Sequence, residues 1–410
     1  MGVGEKVMRF RNLAFSSVVC VALLAACAFV VSSGVTGKND GRVSELEART
    51  YQAFPELSVA TLSDGSFQSD FEQFAADSVP KRDGLIIYNA FAQRVVIQTA
   101  NAPFQFGAYP TRFGSVDAYV PDDGLLLEIP AREDDLVDVY QKASKAFGSM
   151  VESYPDVRWR FAMPDRSYSA ESSPLHDYIA NPADHSFIVD TFRSSCSGEC
   201  VFVDLSASDF DEWRTWYFCS DHHWRVQGAY EAYCRICDSF GWDPVEARYT
   251  RLFDGPFYGS LVRKSLCNEA YDYIDGLLVP LSGDVEVVVN GESKDVSYLG
   301  YAFRNDGGAY VRQHKYENGY LHCFHGDAGI LEIHNPDATN DASLLIIGDS
   351  YTDNCEALYA ATYSHVYVID PRHYEGTLSS FFQAHEIDDA LVLCCDWTLR
   401  DKAFRAFVAS

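Results

Sequence analysis

The stretch "SLLIIGDSYTDNCEALYAATYSHVYVID" (343–370) decides the fold. It contains two short apolar runs, SLLIIG (343–348) and HVYVID (365–370). Between them lies TDNCEALYAATY (352–363), long enough for a helix, and a third run, ALVLCC (390–395), follows. A strand with one wet face alternates polar and apolar residues, whereas a strand covered on both faces reads as a continuous apolar run. Fully apolar strands alternating with helical segments predict an α/β chain whose parallel sheet is flanked by helices. In such sheets, functional groups gather beyond the carboxyl ends of the strands. Those ends carry Gly348-Asp349-Ser350, Asp370-Pro371-Arg372 and Asp396.

Upstream, GLLLEIP (124–130), VRWRFAM (157–163) and CVFVDL (200–205) read as strands, and REDDLVDVYQKASKAF (132–147) as an amphipathic helix. Phe67, Phe71, Phe74 and Ala75 recur at helical spacing until Pro80 stops the pattern. Residues 34–50 are polar and read as a linker, and the chain shows no internal repeat or low-complexity tract.

With 410 residues and 47% hydrophobic content, the chain is long and apolar enough for a sizeable core. The formal net charge of −27 repels phosphate backbones and argues against a nucleic-acid partner. Lys6, Arg9 and Arg11, in a cytoplasmic segment 1–12, precede the uncharged run "LAFSSVVCVALLAACAFVV" (13–31). That run can cross a bilayer as a helix, with the preceding positive charges left in the cytoplasm. A membrane-spanning anchor over 13–33 is therefore expected, with the domain 51–410 outside the cell. A signal segment is the alternative, and LAAC (24–27) even resembles a lipobox that would lipidate Cys27. Two of the twelve cysteines, Cys20 and Cys27, lie in this run, and export permits disulfides among the rest. CSGEC (196–200) is the easiest local pair, whereas CRIC (234–237) falls inside a helical pattern and reads as two half-buried cysteines.

Ser350, at a strand end and just before a helical pattern, could present an exposed hydroxyl beside backbone N–H groups. The bland alternative is that Ser350 or Thr352 merely caps the helix. A serine nucleophile needs a base, and the base an orienting acid. The stretch "CSDHHWRVQGAYEAY" (219–233) offers both. On an extended chain, Asp221 and His223 share one side while His222 and Trp224 take the other. From Val226, apolar residues at helical intervals predict a helix that stops at Gly241. The rival is a metal site, but adjacent histidines on an extended chain diverge, and the HxxH at His322 and His325 is a weak second cluster. No metal and no cofactor is expected.

With these residues in view, the chain resembles the bacterial DHHW protein family, named for the tetrad standing here as Asp221-His222-His223-Trp224. The likeness extends to residues 54–83, 220–233, FYGSL (257–261), GDSYTDN (348–354) and VYVIDPRHY (366–374), in the expected order. The family is similar to the SGNH-hydrolase-like proteins of bacterial alginate O-acetylation. The resemblance implies Ser350 as nucleophile, His223 as base and Asp221 as its orienter, in a permuted chain order. Gly259 and Asn354 are its oxyanion candidates, although Asp353-Asn354 departs from the small residues expected there. Arg372 and Tyr374, beyond a neighbouring strand end, are substrate-binding or structural candidates, as is Trp224. The implied function is O-acyl transfer to, or O-acetyl ester hydrolysis from, a cell-envelope polysaccharide. A polytopic membrane-bound O-acyltransferase would be the plausible partner. The alternative is a glycan-binding or assembly protein that keeps the fold without the chemistry.

Overall fold

The computed structural model describes residues 3–44, 46–47, 49–101, 118–119, 124–176, 179–196, 198–281, 284–300 and 314–410. Residues 1 and 2 of the expected cytoplasmic segment, 45 and 48 of the expected linker, and Ser197 of CSGEC lie outside them. The chain divides into two compact units, residues 1–92 and 93–410.

In the first unit a helix runs over Val3–Val35. It contains Phe15–Ser33, a 19-residue stretch of mean hydropathy 2.4, long and apolar enough to span a membrane. Cys27 lies within this helix. The segment expected as a linker is partly structured: Val43–Ser44 pairs antiparallel with Arg49–Thr50. Arg49 then ion-pairs with the buried Asp77 at 2.7 Å. The helix predicted from Phe67, Phe71 and Phe74 spans Ser66–Asp77.

The second unit is built on an eight-stranded sheet. Its strands are β1 (Arg158–Ala162), β2 (Cys200–Val203), β3 (Glu286–Val289), β4 (Glu292–Lys294), β5 (Ile330–His334), β6 (Asn340–Gly348), β7 (Tyr363–Ile369) and β8 (Asp389–Leu393). Their order is β4-β3-β5-β7-β6-β8-β1-β2. From β7 through β6, β8 and β1 to β2 every neighbour is parallel. On the other side, β5, β3 and β4 add antiparallel strands.

The apolar runs have the cause the sequence suggested. Successive side chains of a strand point to opposite faces, and both faces of β6 are covered. Leu344 and Ile346 join one core with Val226, Tyr233 and Ile236 of the helix Val226–Phe240. Leu345 and Ile347 join the other with Phe147 of the helix Glu133–Ser153 and Phe404 of the helix Lys402–Val408. The helix Val226–Phe240 ends on Gly241 at φ 82°, a left-handed cap that suits glycine.

Two expectations need correction. GLLLEIP does not enter the sheet: Leu125, Leu126 and Leu127 are buried, but only Leu127–Glu128 forms a two-residue strand, paired with Ala118–Tyr119. The Leu126 N–H donates instead to the Cys219 carbonyl at 3.0 Å, so this apolar run is a buried loop against the DHHW segment. The helix expected over 352–363 begins only at Glu356, after a turn.

Ile346→Ala and Ile347→Ala should each cost about 2–5 kcal/mol, because each leaves a cavity in a closed core. Val201→Ala on the edge strand β2, where the side chain is 46% exposed, should cost under about 0.5 kcal/mol. Urea midpoints at unchanged m-value check both.

Candidate active site

The tetrad sits on a loop that folds back on itself. Tyr217 and Trp224 face each other in an antiparallel bridge, and the Phe218 N–H donates to the His223 carbonyl at 3.2 Å. The loop is clamped from below by Asp272. Its buried carboxylate accepts from the Cys219 N–H (3.0 Å), the Ser220 N–H (2.7 Å) and the Ser220 hydroxyl (2.6 Å), and pairs with Arg225 at 2.6 Å. Burial pushes the Asp272 carboxyl up, with the Arg225 charge opposing.

This turn overturns the premise that His222 lies opposite Asp221 and His223. The two imidazoles are 3.9 Å apart, and His222 Nδ1 comes within 3.6 Å of Asp221 Oδ1. His223 Nδ1 is 2.6 Å from Asp221 Oδ1, which also accepts the His223 backbone N–H at 3.0 Å. The other carboxylate oxygen accepts the Ser260 N–H at 2.5 Å. Burial alone would raise the Asp221 carboxyl. The charges of His222 and His223 and the hydrogen bonds from His223 and Ser260 outweigh it and hold the group well below the usual range. Burial, with the charges of His223 and Arg166, pushes His222 down, and its Nδ1 meets Ser260 Oγ at 2.6 Å.

Ser350 reaches this pair from the carboxyl end of β6. His223 Nε2 and Ser350 Oγ are 2.8 Å apart, across 127 positions of sequence. The sharp exit from β6 requires Gly348, where a Cβ would lie 2.5 Å from Thr352 Cγ2. Asp349 fixes the turn by accepting the Tyr351 N–H at 3.1 Å and, from the end of β8, the Cys395 N–H at 2.9 Å. Neither Ser350 nor Thr352 caps a helix. The cap position of Glu356–Thr362 is Cys355, and the Thr352 hydroxyl donates to the Asp349 carbonyl at 2.9 Å. The helix N-terminus expected beside Ser350 is therefore five residues further on.

Asp221, His223 and Ser350 are thus in one hydrogen-bonded line. The other candidates lie elsewhere. The Gly259 N–H donates to Ser220 Oγ at 3.2 Å, and a Cβ there would lie 2.3 Å from Asp221 Cβ, so this glycine admits the Asp221 side chain rather than offering a free donor. Asn354 is buried against Trp224, accepting the indole N–H at 3.0 Å and donating to the Trp224 carbonyl at 3.4 Å. Trp224, 2% exposed, also donates to the Tyr351 carbonyl at 2.8 Å and is closed to substrate. Arg372 ion-pairs with Asp370 (2.5 Å) and Asp327 (3.0 Å). Tyr374 packs edge-on against Phe407 in the core on the other face of the sheet, apart from Ser350.

Sequence reasoning missed Tyr320. Its ring stacks on His223 at 3.8 Å and 5°, and its hydroxyl donates to the Ser350 carbonyl at 3.1 Å. Nothing in GYLHCF marks it, whereas Ser260 stood in the FYGSL segment without a role.

A small cavity beside the Ser350 turn is lined by Asp327, Asp349, Asp353, Glu356, Asp370 and His325. His325 Nε2 meets Glu356 Oε2 at 2.9 Å, while Asp353 is 6% exposed and has no hydrogen-bond partner among the described residues. Burial, then the neighbouring Glu356, Asp327, Asp349 and Asp370, push the Asp353 carboxyl well up. Elsewhere, Cys234 sits half-buried within its helix as read from sequence, whereas Cys237, expected half-buried, is fully buried.

Residues 187–369 match the family described as DHHW protein, so the resemblance drawn from the tetrad holds for the segment that carries it. Bacillus cereus PatB1 is 18% identical, with a TM-score of 0.57, over 70% of this chain and 98% of that one. A second PatB1 structure, with a sulfonyl adduct, has a TM-score of 0.55 at 17% identity, over 70% and 99% of the two chains. A DHHW family protein from Eubacterium siraeum has a TM-score of 0.55 at 18% identity, over 72% of this chain and 98% of its own. These likenesses show the shared fold, an α/β sheet flanked by helices. No curated protein matches the chain.

A carboxyl raised on folding favours the folded state below its ordinary value of about 3.9 and loses that advantage as pH rises through the folded value. Asp353→Asn, which never ionises, should therefore raise the melting temperature at pH 7 and above, with the gain shrinking as pH falls toward about 4. Thermal unfolding of both chains across that range checks the sign.

Proposed function

We propose that this chain is a membrane-anchored, extracytoplasmic O-acyltransferase or O-acetylesterase acting on a cell-envelope polysaccharide. The observation that carries the reading is the line Ser350 Oγ–His223–Asp221, with links of 2.8 and 2.6 Å. A hydroxyl alone is a poor nucleophile and needs a base in hydrogen-bond reach, itself oriented by an acid.

In the proposed reaction Ser350 Oγ attacks the carbonyl carbon of an acyl ester while His223 Nε2 takes the hydroxyl proton. The resulting imidazolium stays bonded through Nδ1–H to Asp221, whose carboxyl, held well below its usual range, stays anionic. The tetrahedral intermediate collapses, the ester C–O bond breaks, and His223 returns the proton to the departing alcohol. The acyl group is then on Ser350. A sugar hydroxyl, in transfer, or water, in hydrolysis, gives its proton to His223 and attacks the acyl carbon; the bond from that carbon to Ser350 Oγ breaks, and His223 returns the proton to Oγ. Tyr320, stacked flat on His223, restricts the ring to the orientation that serves both steps.

The stretch Phe15–Ser33 supports an anchor that would hold the domain beside a membrane-bound acyl donor. A polytopic membrane-bound O-acyltransferase is the partner suited to deliver acyl groups there. The sulfonyl adduct carried by PatB1 supports the same chemistry, since sulfonyl reagents label nucleophiles.

A second reading comes from the same loop. Ligand atoms of Asp221, His222 and His223 lie within 4.8 Å of one another, a donor set compatible with a metal ion. An ion there would replace the hydrogen bond from His223 to Asp221.

The full chain in detergent, offered p-nitrophenyl acetate, should turn it over, with Ser350→Ala and His223→Ala each slower by at least about 10²–10⁴-fold. A sulfonyl fluoride should add its sulfonyl mass to the Ser350 peptide of the wild type alone, and EDTA should leave the rate unchanged. Loss of activity in EDTA with restoration by zinc, and His222→Ala as harmful as His223→Ala, would favour the metal reading instead.

A further inference from the structure

One surface adjoining the site has no role in the chemistry above. Tyr271 and Tyr273 flank Asp272 on a short extended stretch, so they share a face. Asp272 turns inward to clamp the DHHW loop, while both tyrosines turn outward, 48% and 45% exposed. Their rings meet edge to face at 5.9 Å and 85°. Tyr258 extends the row, 6.4 Å from Tyr271, with the Lys315 ammonium 3.9 Å from its ring centre. Beside Lys315, the Tyr316 hydroxyl and the Asn268 amide hydrogen-bond at 3.1 Å.

This row joins the site through two separate pieces of chain. Tyr258 stands two residues before Ser260, which holds Asp221 and His222. Tyr316 stands four residues before Tyr320, which holds His223 and Ser350. At up to ~3.6 Å per residue, those links span at most ~7 and ~14 Å.

We propose that the row Tyr258, Tyr271 and Tyr273, with Lys315, Tyr316 and Asn268, is the binding subsite for a neutral glycan chain whose hydroxyl is acylated or deacylated at Ser350. The assignment rests on the function proposed above and names the class of its polymer substrate. Pyranose rings present C–H faces that pack on aromatic faces, and hydroxyls that match phenol, amide and ammonium groups. An apolar protein partner would leave these polar tips unpaired, whereas a sugar pairs them. The net charge of −27 opposes a polyuronate and favours an uncharged chain. Both exposed rings belong to a stretch whose fold depends on Asp272, so they are rigid platforms that lose little entropy on binding.

The test uses the full chain in detergent with cellohexaose, chitohexaose and an alginate hexamer, followed by titration calorimetry. The wild type should bind one of the two neutral oligosaccharides, and Tyr271→Ala/Tyr273→Ala should weaken that affinity by at least roughly tenfold. Tyr271→Phe/Tyr273→Phe, which keeps the ring faces, should retain most of it, and its unchanged melting temperature controls for folding. No binding of either neutral oligosaccharide, equal affinity in the alanine variant, or tighter binding of the alginate hexamer overturns the assignment. Binding needs no turnover, so the two readings fail separately. A chain that binds through these tyrosines but never hydrolyses p-nitrophenyl acetate sinks the chemistry alone. A chain that turns over the ester but binds no neutral glycan sinks the subsite alone.

Discussion

The Asp221 carboxylate is the point on which the site depends. It is buried and ionised, and a buried charge persists only where hydrogen bonds and opposite charge replace water. Here one oxygen holds both the ring and the backbone N–H of His223, and the other holds the Ser260 N–H. Room for it exists because residue 259 has no side chain. The carboxylate thus joins the DHHW loop to the 259–265 segment and leaves His223 Nε2 as the only ring nitrogen turned toward Ser350. A second buried carboxylate, Asp272, performs the mechanical part by gripping the loop's own backbone.

The sheet brings Ser350 to this arrangement. Parallel strands end together, so β6 and β8 place Ser350 and the Cys395 amide side by side, and Asp349 ties the two ends. Trp224, the last residue of the tetrad, reaches from the loop under the Ser350 turn and hydrogen-bonds Tyr351 and Asn354. The tetrad therefore supplies the two residues hydrogen-bonded in line with Ser350 and one structural strut. His222, pressed against His223 and bonded to Ser260, fills the remaining gap in the loop.

Much of the fold was legible because burial on both faces leaves a direct mark in sequence. The runs at 343–348, 365–370 and 390–395 are central strands, and the 226–240 helix carries its own periodicity and stop. GLLLEIP misled because a buried loop against the tetrad is as apolar as a strand. The antiparallel strands β3 and β4 went unread although Asn290-Gly291 marks their tight turn, with both residues at positive φ. At the site, the pairing of Asp221 with His223 was reached from an extended-chain argument, yet the loop is turned and His222 converges with them. Asn354 and Gly259 were assigned from resemblance, but long-range contacts, to Trp224 and to Asp221, decide what those groups do. Tyr320 gave no local signal at all, since only the fold lays its ring on His223.

The central claim is that Ser350 and His223 act as one unit. The direct measurement is a double-mutant cycle on ester turnover with Ser350→Ala, His223→Ala and the pair combined. Groups that work through a single shared proton transfer are strongly non-additive, so the double variant should be no slower than the slower single variant. Losses that multiply, each substitution costing the same factor with or without the other, would contradict the account.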